Sequence, residues 1–461
     1  MTVWHPTIDR TAGPIYTGIA NAISAAIASG ELAPGDRMPP HRTLAIQLGV
    51  DLTTVTRAYS EARRQGLLEA VVGRGTFVRD QPAPEVQGAE PSIIDLGMNL
   101  PPQANLGLPQ QIQQGLSALL TGPGCLTALS YRTGAGTPRE RAAGAAWLMP
   151  ALGAVDPARI VVAPGAQPAL LAVLGIVARR GDTLLCDELT YPGIRSIAAH
   201  LGIRLVGVTA DAEGMMAAAL VKAARTTAAR AVYVVPTIQN PATTTLSPTR
   251  RQALANAARE TGLRIIEDDA YGMLVSDPLR ALSAIAPEIS YHVATLSKVL
   301  SPALRIAYVV APDADATAGL EAALRANTMM ASPLLSGLAT AWVHDGTAAR
   351  LRDAIRGECR ARQAIARDIL PSNSFAAHPE GIQIWLRTPA GQGREQFVAK
   401  ATRQGLALVP SDAFWVGRGN APEAVRVSLG APESQGHLRL ALRRLADVMG
   451  DPEPTTQGYV V

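Results

Sequence analysis

From Ile93 onward, short apolar runs alternate with amphipathic helical segments, and no other feature of the 461-residue chain narrows its possible folds so far. The runs at 160–163, 183–186, 204–208, 231–235 and 263–266 lack the every-second-residue alternation of a half-solvated strand. Strands of that kind are buried on both faces, so the pattern predicts a mostly parallel sheet with helices packed on each side. The covering helices fall near 167–179, 193–201, 214–225 and 249–261. A long helix near 347–369, followed by runs at 382–386 and 425–429 and a helix at 433–449, predicts a smaller C-terminal α+β lobe.

A Pro- and Ala-rich stretch with no apolar period, Asp80 to Pro91, interrupts this pattern on its N-terminal side and reads as a semi-stiff linker. The expected organisation is therefore a first domain over 1–80, a linker over 81–92, a large α/β domain over 93–450 and a tail over 451–461. Cys125, Cys186 and Cys359 are scattered and odd in number, which argues against a disulfide framework and against structural zinc, and no metal is expected. The polar start of the chain and the lack of a membrane-length apolar run lead us to expect a cytoplasmic protein without a membrane partner.

Within the large domain the chemistry centres on Lys298. The chain has 42 basic residues but only three lysines, Lys222, Lys298 and Lys400, so a composition that favours arginine has kept an amine here. An ε-amine loses its proton where charge is disfavoured and then condenses with an aldehyde, whereas a guanidinium stays protonated and does neither. Lys298 follows an apolar run at 291–296 and precedes another at 305–310, which places it in a strand-end loop. Thr295 and Ser297 flank it and Arg305 follows seven positions later, a set able to hold a phosphate dianion.

Other strand ends carry matching groups. Gly165-Ala166-Gln167 opens a helix directly after a strand, so its backbone N–H groups can receive a phosphate. Tyr191 can stack on a heteroaromatic ring, and Asn240 ends another strand. Asp268 ends the next, where a buried carboxylate can keep a pyridinium nitrogen protonated, with Tyr271 three residues on. In this order the motifs resemble fold-type I aminotransferases over essentially all of 93–450. The resemblance implies pyridoxal phosphate as cofactor, with Lys298 forming the internal aldimine and Asp268 pairing the ring nitrogen. It further implies Asn240 and Tyr271 on the phenolic oxygen, Tyr191 on the ring, and Ala166, Gln167, Thr295, Ser297 and Arg305 on the phosphate. Tyr131 matches a tyrosine that reaches the phosphate of the partner subunit, and Arg426 matches the arginine that binds a substrate carboxylate. Thr243 departs from the family, which often has glycine in that turn.

The first eighty residues read as helix (15–29), turn, short helix (41–48), helix (52–65) and two strands around Gly73-Arg74-Gly75. From Leu52 to Arg79 five arginines face only Glu61 and Glu69, a balance suited to a phosphate backbone. The stretch from Gly30 to Ala45, then Thr54-Val55, Arg57-Ala58-Tyr59, Gly66-Leu67-Leu68 and Gly73 to Val78, closely resembles the winged helix-turn-helix of GntR-family regulators. That resemblance implies contact with double-stranded DNA by Arg42, Thr53, Thr54, Arg57 and Arg74. Asp51-Leu52 stands where the family often has Ser/Thr-Arg. Fused to an aminotransferase-like domain, such a module is the architecture of MocR/GabR-type regulators, which implies a homodimer that senses an amino acid or amine. The alternative is a working aminotransferase with a DNA-binding appendage.

Overall fold

Every position of the strands Ile160–Ala163, Thr183–Asp187, Ala231–Val234, Ser290–Thr295 and Ala307–Val310 is buried. In this computed structural model, residues 4, 6, 15–29, 31–33, 35–64, 67–71, 75–78, 93–103, 107–123, 125–132 and 134–450 are described. The expected linker and tail lie outside them. The chain divides into two units, Met1–Ser92 and Ile93–Val461.

In the larger unit seven strands form one sheet, in the spatial order Ile160–Ala163, Ala307–Val310, Ser290–Thr295, Arg264–Asp268, Ala231–Val234, Thr183–Asp187, Arg204–Val208. Ala307–Val310 runs antiparallel to both its neighbours and all other pairings are parallel. Alternate residues go to opposite faces of a strand, and the core divides accordingly. Leu184, Cys186, Tyr233 and Ile266 join the cluster that includes Leu170 and Val173 of the helix Ala166–Val177. Leu185, Val232, Val234 and Ile265 join Leu220 and Leu254 of the helices Ala217–Thr227 and Pro248–Thr261. At about 1.5–3 kcal/mol for each fully buried Leu, Ile or Val, these two layers account for most of the drive to cover the sheet.

One boundary differs from expectation. Gly214–Met215 is not the start of a helix but pairs antiparallel with Ala210–Asp211, and the helix begins at Ala217. The turn is set by the Asp211 carboxylate, which accepts from the Glu213 amide at 2.8 Å, and by Gly214 at φ 95°. The smaller lobe is an antiparallel sheet ordered Phe375–Ala377, Gln383–Arg387, Ala424–Ser428, Val409–Pro410, backed by the helices Arg394–Arg403 and Gln435–Gly450. The first strand of the unit, Ile94–Asp95, pairs in parallel with Leu406–Ala407 of this lobe.

The smaller unit packs the helices Ile15–Ser29, His41–Leu48 and Leu52–Arg64 against an antiparallel hairpin, Leu68–Val71 with Gly75–Val78. Ile19, Ile23, Leu44, Val55, Tyr59, Leu68 and Val78 form its core, and the Tyr59 hydroxyl donates to the Pro39 carbonyl at 2.8 Å. Gly49 closes the second helix at φ 60°, a left-handed conformation that costs glycine nothing sterically.

Candidate cofactor site and nucleic-acid interface

Lys298 lies three residues past the end of Ser290–Thr295, in the loop that returns to Ala307–Val310. Its Nζ donates to the Asn99 carbonyl at 2.5 Å. Burial, helped by the positive charges of Arg426 and Arg305 and opposed by Asp268, lowers the amine to about 8. An amine so placed gives up its proton far more readily than a solvated lysine.

Asp268 ends the neighbouring parallel strand and is 4 % exposed. Its Oδ2 accepts from the Tyr233 hydroxyl at 2.6 Å, while Oδ1 is buried without a partner. Burial raises this carboxyl to about 6, against the Tyr233 hydrogen bond and with repulsion from Asp269. A buried carboxylate oxygen left unpaired is costly in isolation, and a protonated ring nitrogen is the kind of donor that would satisfy it.

Around these two residues the structure brings together much of the predicted set. The Tyr271 hydroxyl accepts from Asn99 Nδ2 at 2.8 Å. Arg426 donates to Asn240 Oδ1 at 2.9 Å and to the Gly97 carbonyl at 2.5 Å, with its guanidinium 5.0 Å from the Phe414 ring centroid. Tyr191 is half-buried at the start of Pro192–Leu201. Burial raises its phenol, and the charges of Asp268, Arg426 and Arg305 all reach it. Thr243, the departure from the expected glycine, adopts φ 66° and donates its amide to the Gln239 carbonyl at 2.6 Å. The turn thus keeps a glycine-like backbone, at a cost of roughly 1–2 kcal/mol for the threonine.

A second cluster forms at the sheet edge. Gly165, at φ 105°, precedes the helix Ala166–Val177, and a Cβ there would stand 2.8 Å from Arg305 Nη2. The missing Cβ lets the Arg305 guanidinium lie against the start of the helix, where it donates to the Pro164 carbonyl at 3.4 Å, so a guanidinium and a helix N-terminus stand together, a pairing suited to an anion. Ala166 is half-buried and Gln167 exposed. The Thr295 hydroxyl accepts from the Ser297 amide at 3.1 Å, and Ser297 is 8 % exposed. The unpaired Asp268 oxygen, the softened Lys298 amine and this cradle together fit pyridoxal phosphate. Tyr131 shares no hydrogen bond with either cluster and is 82 % exposed.

Three participants escape the sequence reading. Asn99 and Gly97 follow the short strand Ile94–Asp95 and touch Lys298, Tyr271 and Arg426. Tyr233 reads as ordinary strand core, its only signal being a hydroxyl within an otherwise apolar strand, Ala231–Val234. Behind Asp268, the fully buried His292 contacts Glu267 at 3.2 Å. Burial by itself would raise Glu267, but His292 and Ser283 outweigh it and hold the carboxyl at about 2.

In the smaller unit Arg42, Thr53 and Arg57 are exposed and Thr54 is half-buried. Arg57 stacks 4.1 Å above the Tyr16 ring centroid. Asp51 Oδ1 accepts from both the amide and the hydroxyl of Thr53, at 2.7 and 2.5 Å, so Thr53 is partly committed to the start of its own helix. Arg74 lies outside the described residues.

Residues 91–445 match the aminotransferase class I and II family, and residues 15–78 match the gntR family of bacterial regulatory proteins. The chain is 29% identical over 451 residues to the uncharacterized HTH-type transcriptional regulator YdeF of Bacillus subtilis, covering 96% of this chain and 97% of that one. It is 29% identical over 416 residues to the vitamin B6 salvage pathway transcriptional repressor PtsJ of Salmonella typhimurium, covering 88% and 92%. Among solved structures, the α-aminoadipate aminotransferase LysN of Thermus thermophilus, complexed with N-(5'-phosphopyridoxyl)-L-leucine, superposes with a TM-score of 0.70 at 25% identity over 78% of this chain and 92% of that chain.

Proposed function

We propose that this chain, which belongs to the aminotransferase class I and II family and carries a GntR-family domain ahead of it, senses an amino acid or amine at its cofactor site and passes that signal to DNA. It is a DNA-binding transcriptional regulator with a pyridoxal phosphate-dependent transferase fold. The observation that carries the sensing proposal is that Lys298, suited to exchange with an amine, lies close enough to Arg426, suited to a carboxylate, for the arginine's charge to help lower the lysine amine. Pyridoxal phosphate, when bound, supplies an aldehyde for amines and an electron-withdrawing ring. Lys298 would hold its aldehyde carbon, Asp268 Oδ1 its ring nitrogen, and Asn240 and Tyr271 its phenolic oxygen. Tyr191 would lie on the ring, while Ala166, Gln167, Thr295, Ser297 and Arg305 hold the phosphate. Tyr131 of a second copy would complete the site, which makes the working unit a homodimer.

Lys298 would give up the aldehyde carbon to an incoming amine and recover its own free amine, and a carboxylate on that amine would compete for Arg426, whose present partners are Asn240 Oδ1 and the Gly97 carbonyl. Lys298, Tyr271 and Arg426 all grip Gly97 or Asn99, a few residues after the 81–92 linker. Releasing that grip would alter how the segment leading into the linker is held. A ligand moves such an equilibrium only through its different affinity for the two states. The exposed Arg42, Thr53 and Arg57, together with Thr54 and Arg74, would meet the operator.

The test is a gel-shift titration of wild type and Lys298→Ala with a panel of amino acids, with and without pyridoxal phosphate. Lys298→Ala is expected to bind operator DNA yet lose effector response. Equal responses from the two proteins would rule out amine exchange as the signal. A lowered lysine amine also favours proton transfer, so a second reading, slow transamination, is checked by keto-acid formation from the same panel.

A further inference from the structure

We infer that Tyr233 is the positioning residue for Asp268, holding one carboxylate oxygen so that the other is presented to the cofactor's ring nitrogen. The inference rests on the pyridoxal phosphate reading of the site. Tyr233 stands opposite Ile266 in the parallel register, two residues before Asp268 on the adjacent strand. Its ring is fully buried, and its hydroxyl donates to Asp268 Oδ2 at 2.6 Å. Asp268 Oδ1 has no partner among the described residues. An aspartate χ2 torsion is broad and two-fold, so packing alone does not select which oxygen faces the cleft. A short bond from a hydroxyl that can only donate to a carboxylate makes that selection.

The groups that reach Asp268 are Tyr233, Asp269, Lys298, His292, Tyr191 and Tyr271. Asp269 disfavours its charge, whereas Tyr233, Lys298 and His292 favour it. Burial keeps the Tyr233 phenol protonated throughout the neutral range. Removing the hydroxyl therefore takes away support for the carboxylate, and its carboxyl moves up from about 6 toward neutrality. A buried tyrosine that had merely found an acceptor for its own hydroxyl would show no preference for the chemistry of the ring atom opposite Asp268. A positioning residue must show one.

Full-length wild type and Tyr233→Phe are titrated with pyridoxal phosphate and with its 1-deaza analogue, in which a C–H replaces the ring nitrogen. Binding is read by absorbance from about pH 5.5 to about pH 8.5. At pH ~7 the variant is expected to bind pyridoxal phosphate roughly tenfold more weakly, a loss that shrinks toward pH ~8.5 as the carboxyl ionises again. Its affinity for the deaza analogue stays at the wild-type value. Equal weakening for both ligands, or an unchanged pH profile, overturns the inference. Failure of the wild type itself to bind pyridoxal phosphate would sink the reading of the site instead. If Tyr233→Phe does not fold, 3-fluorotyrosine at position 233, a stronger donor, should move the acid-side loss of affinity to lower pH. An unmoved edge then overturns the inference.

Discussion

Replacing Lys298 by methionine should stabilise the cofactor-free protein at neutral pH, and the gain should disappear in alkali. The amine falls from 10.5 to about 8 in the folded chain, mainly through burial. At 1.36 kcal/mol per unit, that shift makes the charged form cost about 3 kcal/mol. The unfolded chain keeps this proton up to about 10.5 and the folded chain loses it near 8. Between those values the unfolded state binds more protons, so the lysine's penalty fades as pH rises. Methionine has similar reach and no charge, but it forfeits the hydrogen bond to the Asn99 carbonyl, worth about 1 kcal/mol. The expected gain is therefore about 2 kcal/mol at pH ~7, falling to about zero by pH ~10 as the penalty fades to the size of the lost hydrogen bond. Tyr233, Tyr271, Cys186 and Cys359, whose folded pKa values are raised, lose stability over the alkaline side of this range. They are common to both proteins and cancel in the difference. Urea unfolding of the two stripped proteins at steps between those pH values measures that difference directly. A difference that is flat with pH, or a methionine variant less stable than wild type at neutrality, would refute the assignment of a buried, charge-disfavouring site to Lys298.

Arg57→Ala should weaken binding to specific and random DNA alike and lower the slope of log affinity against log salt by about one unit, and a slope equal to wild type would mean that Arg57 stays on Tyr16 and meets no phosphate. Arg426→Ala should reduce the affinity of carboxylate-bearing effectors by roughly 10- to 100-fold while sparing amines that lack the carboxylate. Absorbance titration of the cofactor-loaded protein reads both, and equal losses for the two ligand classes would remove Arg426 from carboxylate recognition.

Much of the site was legible because its residues stand at strand ends, and strand ends follow from apolar runs. Lys298 after 291–296 and Asp268 at the close of Arg264–Asp268 are found in this way. Asn99 was not legible. Its bond to Tyr271 spans 172 residues, and nothing local to Met98-Asn99-Leu100 marks an amide that will meet a phenol. Tyr233 is a sharper case, since strand periodicity accounts fully for a buried aromatic there and stays silent about where its hydroxyl points. Thr243 stands where the family often has glycine, and its φ of 66° shows a threonine held in the conformation expected of glycine.

The sequence by itself determined the alternation that makes a sheet buried on both faces, the two-part organisation around a Pro-rich break, and the chemical types available at each strand end. These are consequences of burial and backbone propensity, which act over a few residues and leave a periodic trace. Tertiary structure alone decided that the Gly97 and Asn99 carbonyls would receive Arg426 and Lys298, and that one oxygen of Asp268 would be bound and the other left free. Directional hydrogen bonds between residues far apart in the chain leave no such trace, because whether they form depends on where packing brings the partners, to within a few tenths of an ångström.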